Sequence, residues 1–140
     1  MKSKLFHSLV GNWLIERTIT PGGVFIGTAT FENLSDTVLS YQEEGEMTLD
    51  RGTVLYPIKA YQWRLEEGQI SIYFDDGETK GQLFHQLGFL SDHEAAASHW
   101  CDPDNYQSHY VFDLPQCFEI THEVKGPKKA YISKTIFKVS

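Results

Sequence analysis

The sequence predicts an all-β fold: about ten short antiparallel strands in an up-and-down barrel, preceded by a short N-terminal helix. Three observations predict it. Aromatic residues make up 14% of the chain, and flat or branched side chains suit a pleated surface. Apolar and polar residues alternate with period two over most of the length, which is the strand periodicity. Turn residues interrupt that alternation at intervals of roughly 8–14 residues, leaving no helix long enough for a crossover between parallel strands.

The helix is predicted first, over Ser3 to Val10, where Ser3 is a cap residue and Leu5, Phe6 and Leu9 share one face. So short a helix needs a surface to lie on, and the end of a barrel is one. Gly11 ends it. Trp13, Ile15, Arg17 and Ile19 then alternate with Leu14, Glu16 and Thr18, and Pro21-Gly22-Gly23 turns into Phe25, Gly27, Ala29 and Phe31. A third strand is expected over Thr37 to Met47 and a longer one over Thr53 to Leu65. Glu67-Gly68 leads into Ile70 to Phe74, and Asp75-Asp76-Gly77 is a hairpin signal. Further strands are expected over Leu83 to Phe89, Ala95 to Cys101, Tyr106 to Phe112, Phe118 to Val124 and Lys129 to Val139. An even-numbered meander of this kind removes its edges by closing on itself, and every connection reads as a hairpin, which favours the barrel over a two-sheet sandwich.

The 140 residues are expected to form one domain, 1–140, large enough to bury a core without disulfides. The formal charge of −7 and only 12 Lys and Arg argue against a nucleic-acid partner. No apolar run approaches the roughly 20 residues that span a bilayer, so no membrane partner is expected. Two cysteines, Cys101 and Cys117, are read as free thiols in a reducing cytoplasm. The oligomeric state is left open, with a dimer among the options.

Several motifs carry a resemblance. Gly11-Asn12-Trp13 after a short helix resembles the G-x-W start of lipocalins and their calycin relatives. The wider set is Gly11-x-Trp13, Phe25-x-Gly27, Tyr41-x-Glu43-x-Gly45, Phe84-His85, His99-x-Cys101-x-x-Asp104-x-Tyr106 and Gly126-Pro127-Lys128-Lys129-Ala130-Tyr131. Together they resemble a bacterial lipocalin-like family of unknown function, domain-of-unknown-function family 6314, along essentially the whole chain. The resemblance implies a lipocalin-like or fatty-acid-binding-protein-like barrel and no particular activity. It also implies that Trp13 closes the barrel floor under a basic residue of the last strand, here Lys134 or Lys138.

Strand alternation assigns the inward faces. Arg17 falls between Ile15 and Ile19, His85 between Leu83 and Leu87, and His122 between Ile120 and Val124. Tyr41 shares a face with Glu43, Tyr61 with Trp63, His99 with Cys101, Tyr106 with Ser108 and Tyr110, and Lys129 with Tyr131 and Ser133. That is more polar material than a filled core holds, because buried polar groups need partners. The expected function is therefore the binding of a small molecule, polar or anionic in part and apolar in part, inside the barrel. Its lining would be Arg17, Tyr41, Tyr61, Trp63, His85, His99, Cys101, Tyr106, Tyr110, Lys129 and Tyr131. In that arrangement the aromatic residues supply contact area, and Arg17, His85 and Lys129 orient the polar group.

Two other readings stand beside it. One is an isomerase, cyclase or lyase in the same cavity, with His85 or His99 as general acid–base and Tyr106 or Tyr110 as hydrogen-bond donor. The other is an interaction module with a filled barrel. No cofactor is expected. His85, His99, Cys101 and Asp104 sketch a zinc set without zinc spacing, and no motif selects His122, His85 or His99 as a haem ligand. A Cys101 thiolate nucleophile lacks an orienting third group. Asp75-Asp76-Gly77-Glu78 lacks the spacing of a calcium loop, and Gly126-Pro127-Lys128-Lys129 reads as an exposed turn.

Overall fold

A computed structural model describes residues 2–140. It opens with the helix α1 (Lys2–Ser8), followed by β1 (Gly11–Thr20), β2 (Gly23–Ser35) and β3 (Val38–Leu49). Next come β4 (Val54–Leu55), β5 (Ile58–Glu66), β6 (Gln69–Phe74), β7 (Leu83–Gln86) and β8 (Gly88–Phe89). The last four strands are β9 (Glu94–Cys101), β10 (Asp104–Asp113), β11 (Cys117–Lys125) and β12 (Ala130–Val139). Among the described residues the twelve strands form one antiparallel sheet in the order β7-β6-β5-β3-β2-β1-β12-β11-β10-β9-β8, with β4 beside β3. The fold is thus a nearly closed antiparallel barrel with a short N-terminal helix.

Two predicted strands are each split in two, which turns about ten strands into twelve. Pro57 separates β4 from β5, because proline offers no ladder N–H. Leu87 separates β7 from β8, and here the split closes the barrel. The chain pairs with β6 through β7 and with β9 through β8, so one continuous run bridges both ends of the sheet. The Leu87 N–H at the changeover donates to the Ile70 carbonyl at 2.9 Å.

The sheet also holds one very close approach of two strands. Gly27 and Gly45 face each other across β2 and β3. A Cβ built on Gly27 would lie 2.1 Å from the Glu44 carbonyl oxygen, and one on Gly45 would lie 2.3 Å from that of Ile26. The two backbones press together where only glycine leaves room.

The floor end of the barrel is filled. Phe6 and Leu9 are fully buried, and the Trp13 indole N–H donates to the Leu9 carbonyl at 2.9 Å. Trp13 meets Phe118 edge-on at 4.9 Å, and Phe118 stacks on Phe137 at 4.1 Å. Trp13 therefore sits at the floor, but neither Lys134 nor Lys138 covers it. On β12 the inward positions are Ser133, Thr135 and Phe137, so strand parity turns both lysines outward. Phe118 and Phe137 take the covering place instead. Ser3, predicted as a cap, lies inside α1.

Candidate functional site

Above this floor the barrel holds a cavity of about 360 Å³ that opens to solvent at its far end. Its wall is built by alternation: each strand sends every second side chain inward, and floor and cavity share the same faces. β1 contributes Ile15 to the floor and Arg17 to the cavity; β11 contributes Phe118 to the floor and His122 to the cavity. Exposed Cys101 and half-buried Tyr131 and Lys59 mark the solvent end.

One side of the wall carries a closed polar cluster. The Arg17 guanidinium donates to both carboxylate oxygens of Glu43, at 2.7 and 2.8 Å, and its Nε donates to Thr135 Oγ1 at 2.7 Å. The Tyr41 hydroxyl donates to Glu43 Oε1. Burial works against the charged guanidinium, but the hydrogen bonds and charge of Glu43 outweigh it and raise the Arg17 pKa. Burial, then the Glu43 charge, pushes the Tyr41 hydroxyl well above its ordinary value. Burial does the same at Tyr61. Both phenols stay neutral, and the ion pair carries no net charge.

Two further side chains of the wall, His85 on β7 and His122 on β11, are imidazoles kept neutral. His85 Nε2 meets the Tyr110 hydroxyl at 2.6 Å, and His122 Nδ1 meets Ser108 Oγ at 2.6 Å. Burial depresses His85 to about 3, helped by His122 and His99. Burial likewise takes His122 to about 4, with the Arg17 charge adding to it. Phe84 stands among these rings, stacked on His85 at 3.9 Å and meeting His99 and His122 at 5.4 and 5.7 Å. Among the described residues no group of three or more His, Cys, Asp or Glu side chains is placed to hold a metal ion.

The structure gathers most of the sequence candidates into this one cavity. Arg17, Tyr41, Tyr61, Trp63 and Tyr110 line its inner part, and His99, Cys101, Tyr106 and Tyr131 line it toward the mouth. Two candidates stand elsewhere. His85 is buried outside the lining, in contact with two residues that belong to it: its Nε2 meets the Tyr110 hydroxyl and its ring stacks on Phe84. Lys129 precedes β12 on the exposed rim, with its ammonium 3.4 Å from the Asp104 carboxylate. The lining also takes in Glu43, Lys59, Phe84 and His122. Parity marks Glu43 through its neighbour Tyr41, and His122 between Ile120 and Val124. No sequence signal says that Glu43, two strands away from β1, is the partner of Arg17.

Comparison with known proteins bears on fold and family. No curated protein sequence matches. The S-type phycobiliprotein lyase CPES from Guillardia theta superposes with a TM-score of 0.70 at 10% identity, covering 99% of this chain and 92% of that one. EF1p2_mFAP2b bound to DFHBI superposes with a TM-score of 0.54 at 12% identity over 100% of both chains. The redesigned barrel mFAP0 bound to DFHBI gives 0.51 at 12% identity, over 94% of this chain and 98% of that one. At such identities the likeness is one of fold, a barrel shared by natural and designed proteins. A family model covers residues 9–139, nearly the whole chain, and on that match the chain belongs to the family of unknown function DUF6314.

Proposed function

We propose that the barrel is a receptor for one small, largely apolar molecule with a polar end. The observation that carries this reading is the cavity of about 360 Å³, within the usual range for small-molecule pockets of roughly 300–1,000 Å³. It is walled by aromatic rings with a few convergent polar groups. A filled barrel, the structural-module reading, leaves no such space. Two of the similar barrels are described as bound to the small molecule DFHBI, which supports the idea that a barrel of this kind accommodates a ligand.

An anionic ligand loses support from the site. Arg17, the donor expected to meet it, is engaged bidentately by Glu43. The catalytic reading loses support at His85, one of its two candidate bases, and keeps His99, which lines the cavity. A general base works best with a pKa near the working pH, and burial holds His85 at about 3.

Ethylnaphthalene, a bare flat hydrocarbon small enough for the cavity, tests the receptor reading by equilibrium dialysis. Ser133 faces the cavity from β12, so Ser133→Phe should fill it and weaken binding at least tenfold while the circular dichroism spectrum holds. Equal binding by the filled variant would place the hydrocarbon outside the barrel and overturn the reading.

A further inference from the structure

We infer that the cavity selects an uncharged ligand with a carbonyl oxygen on a flat apolar body, and that the Tyr110 hydroxyl, turned inward by His85, donates to that oxygen. The inference rests on the receptor reading above and adds the chemistry of the ligand.

Charge comes first. The guanidinium and carboxylate that line the cavity neutralise each other, and the Lys59 ammonium is held 3.0 Å from Asp76. An ionised ligand would leave water without a free counter-charge to meet, and desolvating it costs far more than desolvating a neutral polar group.

The donor follows from one unpaired atom. His85 is 3% exposed, and its Nδ1 is a buried side-chain atom with no hydrogen-bond partner. A neutral imidazole carries its single proton on either Nδ1 or Nε2. A proton on Nδ1 would be a buried donor with nothing to bond, a rarer and costlier state than an unfilled acceptor lone pair. With the proton on Nε2 it is instead donated to Tyr110 Oη across the 2.6 Å contact, and the donor left over is the O–H of Tyr110, a residue that lines the cavity, rather than an N–H with nothing beside it. Tyr110 then has an accepted hydrogen bond and a free O–H. Tyr110 lines the cavity, so an acceptor seated there is the partner this O–H needs. His85 is a positioning residue in this scheme: it does not touch the ligand, but it decides that Tyr110 offers a proton rather than a lone pair.

The apolar body follows from the walls. Tyr61 and Phe84 lie nearly parallel, 23° apart at 6.1 Å, and Phe74 adds a tilted third ring 5.0 Å from Phe84. Rings so arranged offer faces and edges to a flat conjugated molecule. His122, fixed through Nδ1 by Ser108, leaves Nε2 as its free ring edge beside the same space.

Three matched probes test the inference by equilibrium dialysis at neutral pH: ethylnaphthalene, acetylnaphthalene and naphthoate. Acetylnaphthalene should bind roughly three- to tenfold more tightly than ethylnaphthalene, the worth of one neutral hydrogen bond, and naphthoate should bind most weakly. Tyr110→Phe should erase the advantage of the ketone and leave the hydrocarbon unchanged. His85→Gln, which keeps an N–H donor, should preserve more of that advantage than His85→Leu. Tightest binding of naphthoate, or a ketone advantage that survives Tyr110→Phe, overturns the inference and leaves the receptor reading standing. Failure of all three probes to bind overturns both. Nitrogen-15 correlation spectra of the wild-type protein read the tautomer without any variant: a proton on His85 Nε2 is expected, and one on Nδ1 overturns the inference.

Discussion

Arg17 and Glu43 illustrate what a buried polar pair does at the scale of single residues. Each has a side chain mostly withdrawn from water, 20% and 6% exposed, and each compensates the other. Removing one partner leaves an uncompensated charge inside the wall, so Arg17→Met should destabilise the protein by about 3 kcal/mol. Removing both should cost much less. The double variant Arg17→Met/Glu43→Leu is expected within about 1 kcal/mol of wild type, the remainder coming from Tyr41, whose hydroxyl loses its acceptor. Urea denaturation of the two singles and the double checks this, and additive losses would mean the two side chains do not act as a pair. That Arg17 points inward was legible from Ile15 and Ile19 on either side of it. Its neutralisation was not, because the pairing crosses from β1 over β2 to β3, and strand order is absent from local alternation. The same gap explains the expectation of an anionic ligand: an inward arginine reads as a free cation until its partner is known.

At the scale of elements, the strands were legible wherever one face meets the interior, because a side-chain period of two leaves a plain trace in sequence. Less legible were the devices that make a sheet into a barrel. The changeover at Leu87 looks like one more inward apolar residue within a strand, and only the pairing of β7 with β6 and β8 with β9 shows its role. Gly27 and Gly45 likewise read as small inward residues, although they allow two backbones to touch. The contact leads to a definite expectation. Gly27→Ala places a methyl group against the Glu44 carbonyl, a backbone atom that no side-chain rotation relieves. The substitution should cost about 3 kcal/mol or more, toward the upper end of overpacking effects. Gly88→Ala is the control: its Cβ would come no closer than 3.4 Å to the Ala96 carbonyl oxygen, so its loss should be under about 1 kcal/mol by the same measure. Equal losses at the two sites would show that the close approach of β2 and β3 is not what the fold depends on.

The molecule as a whole couples its cavity to its stability through two histidines, the buried His85 and the half-buried His122. In an unfolded chain both titrate near the ordinary value of 6.5, whereas in the fold burial holds His85 at about 3 and His122 at about 4. Between those limits the unfolded chain binds protons that the folded one excludes, so stability must fall as the pH falls. The direction follows from a depressed folded-state pKa: the contribution of each imidazole is complete above about pH 6.5 and is lost progressively on acidification. The loss ends near about pH 4 for His122 and near about pH 3 for His85, once the folded state also takes up the proton. Each histidine adds a slope of up to about 1.4 kcal/mol per pH unit within its window. Carboxylates shared by all variants titrate over part of the same range, so the informative quantity is the difference between proteins. His85→Phe and His122→Phe should each flatten the dependence of unfolding free energy on pH between about 6 and 4.5 by up to that amount, and the double variant should flatten it further. Slopes equal to wild type in both singles would mean that the imidazoles are already protonated or solvated in the fold. A neutral, partly apolar chamber around the Arg17–Glu43 pair could not then be maintained, and the selection of an uncharged ligand would lose its physical basis.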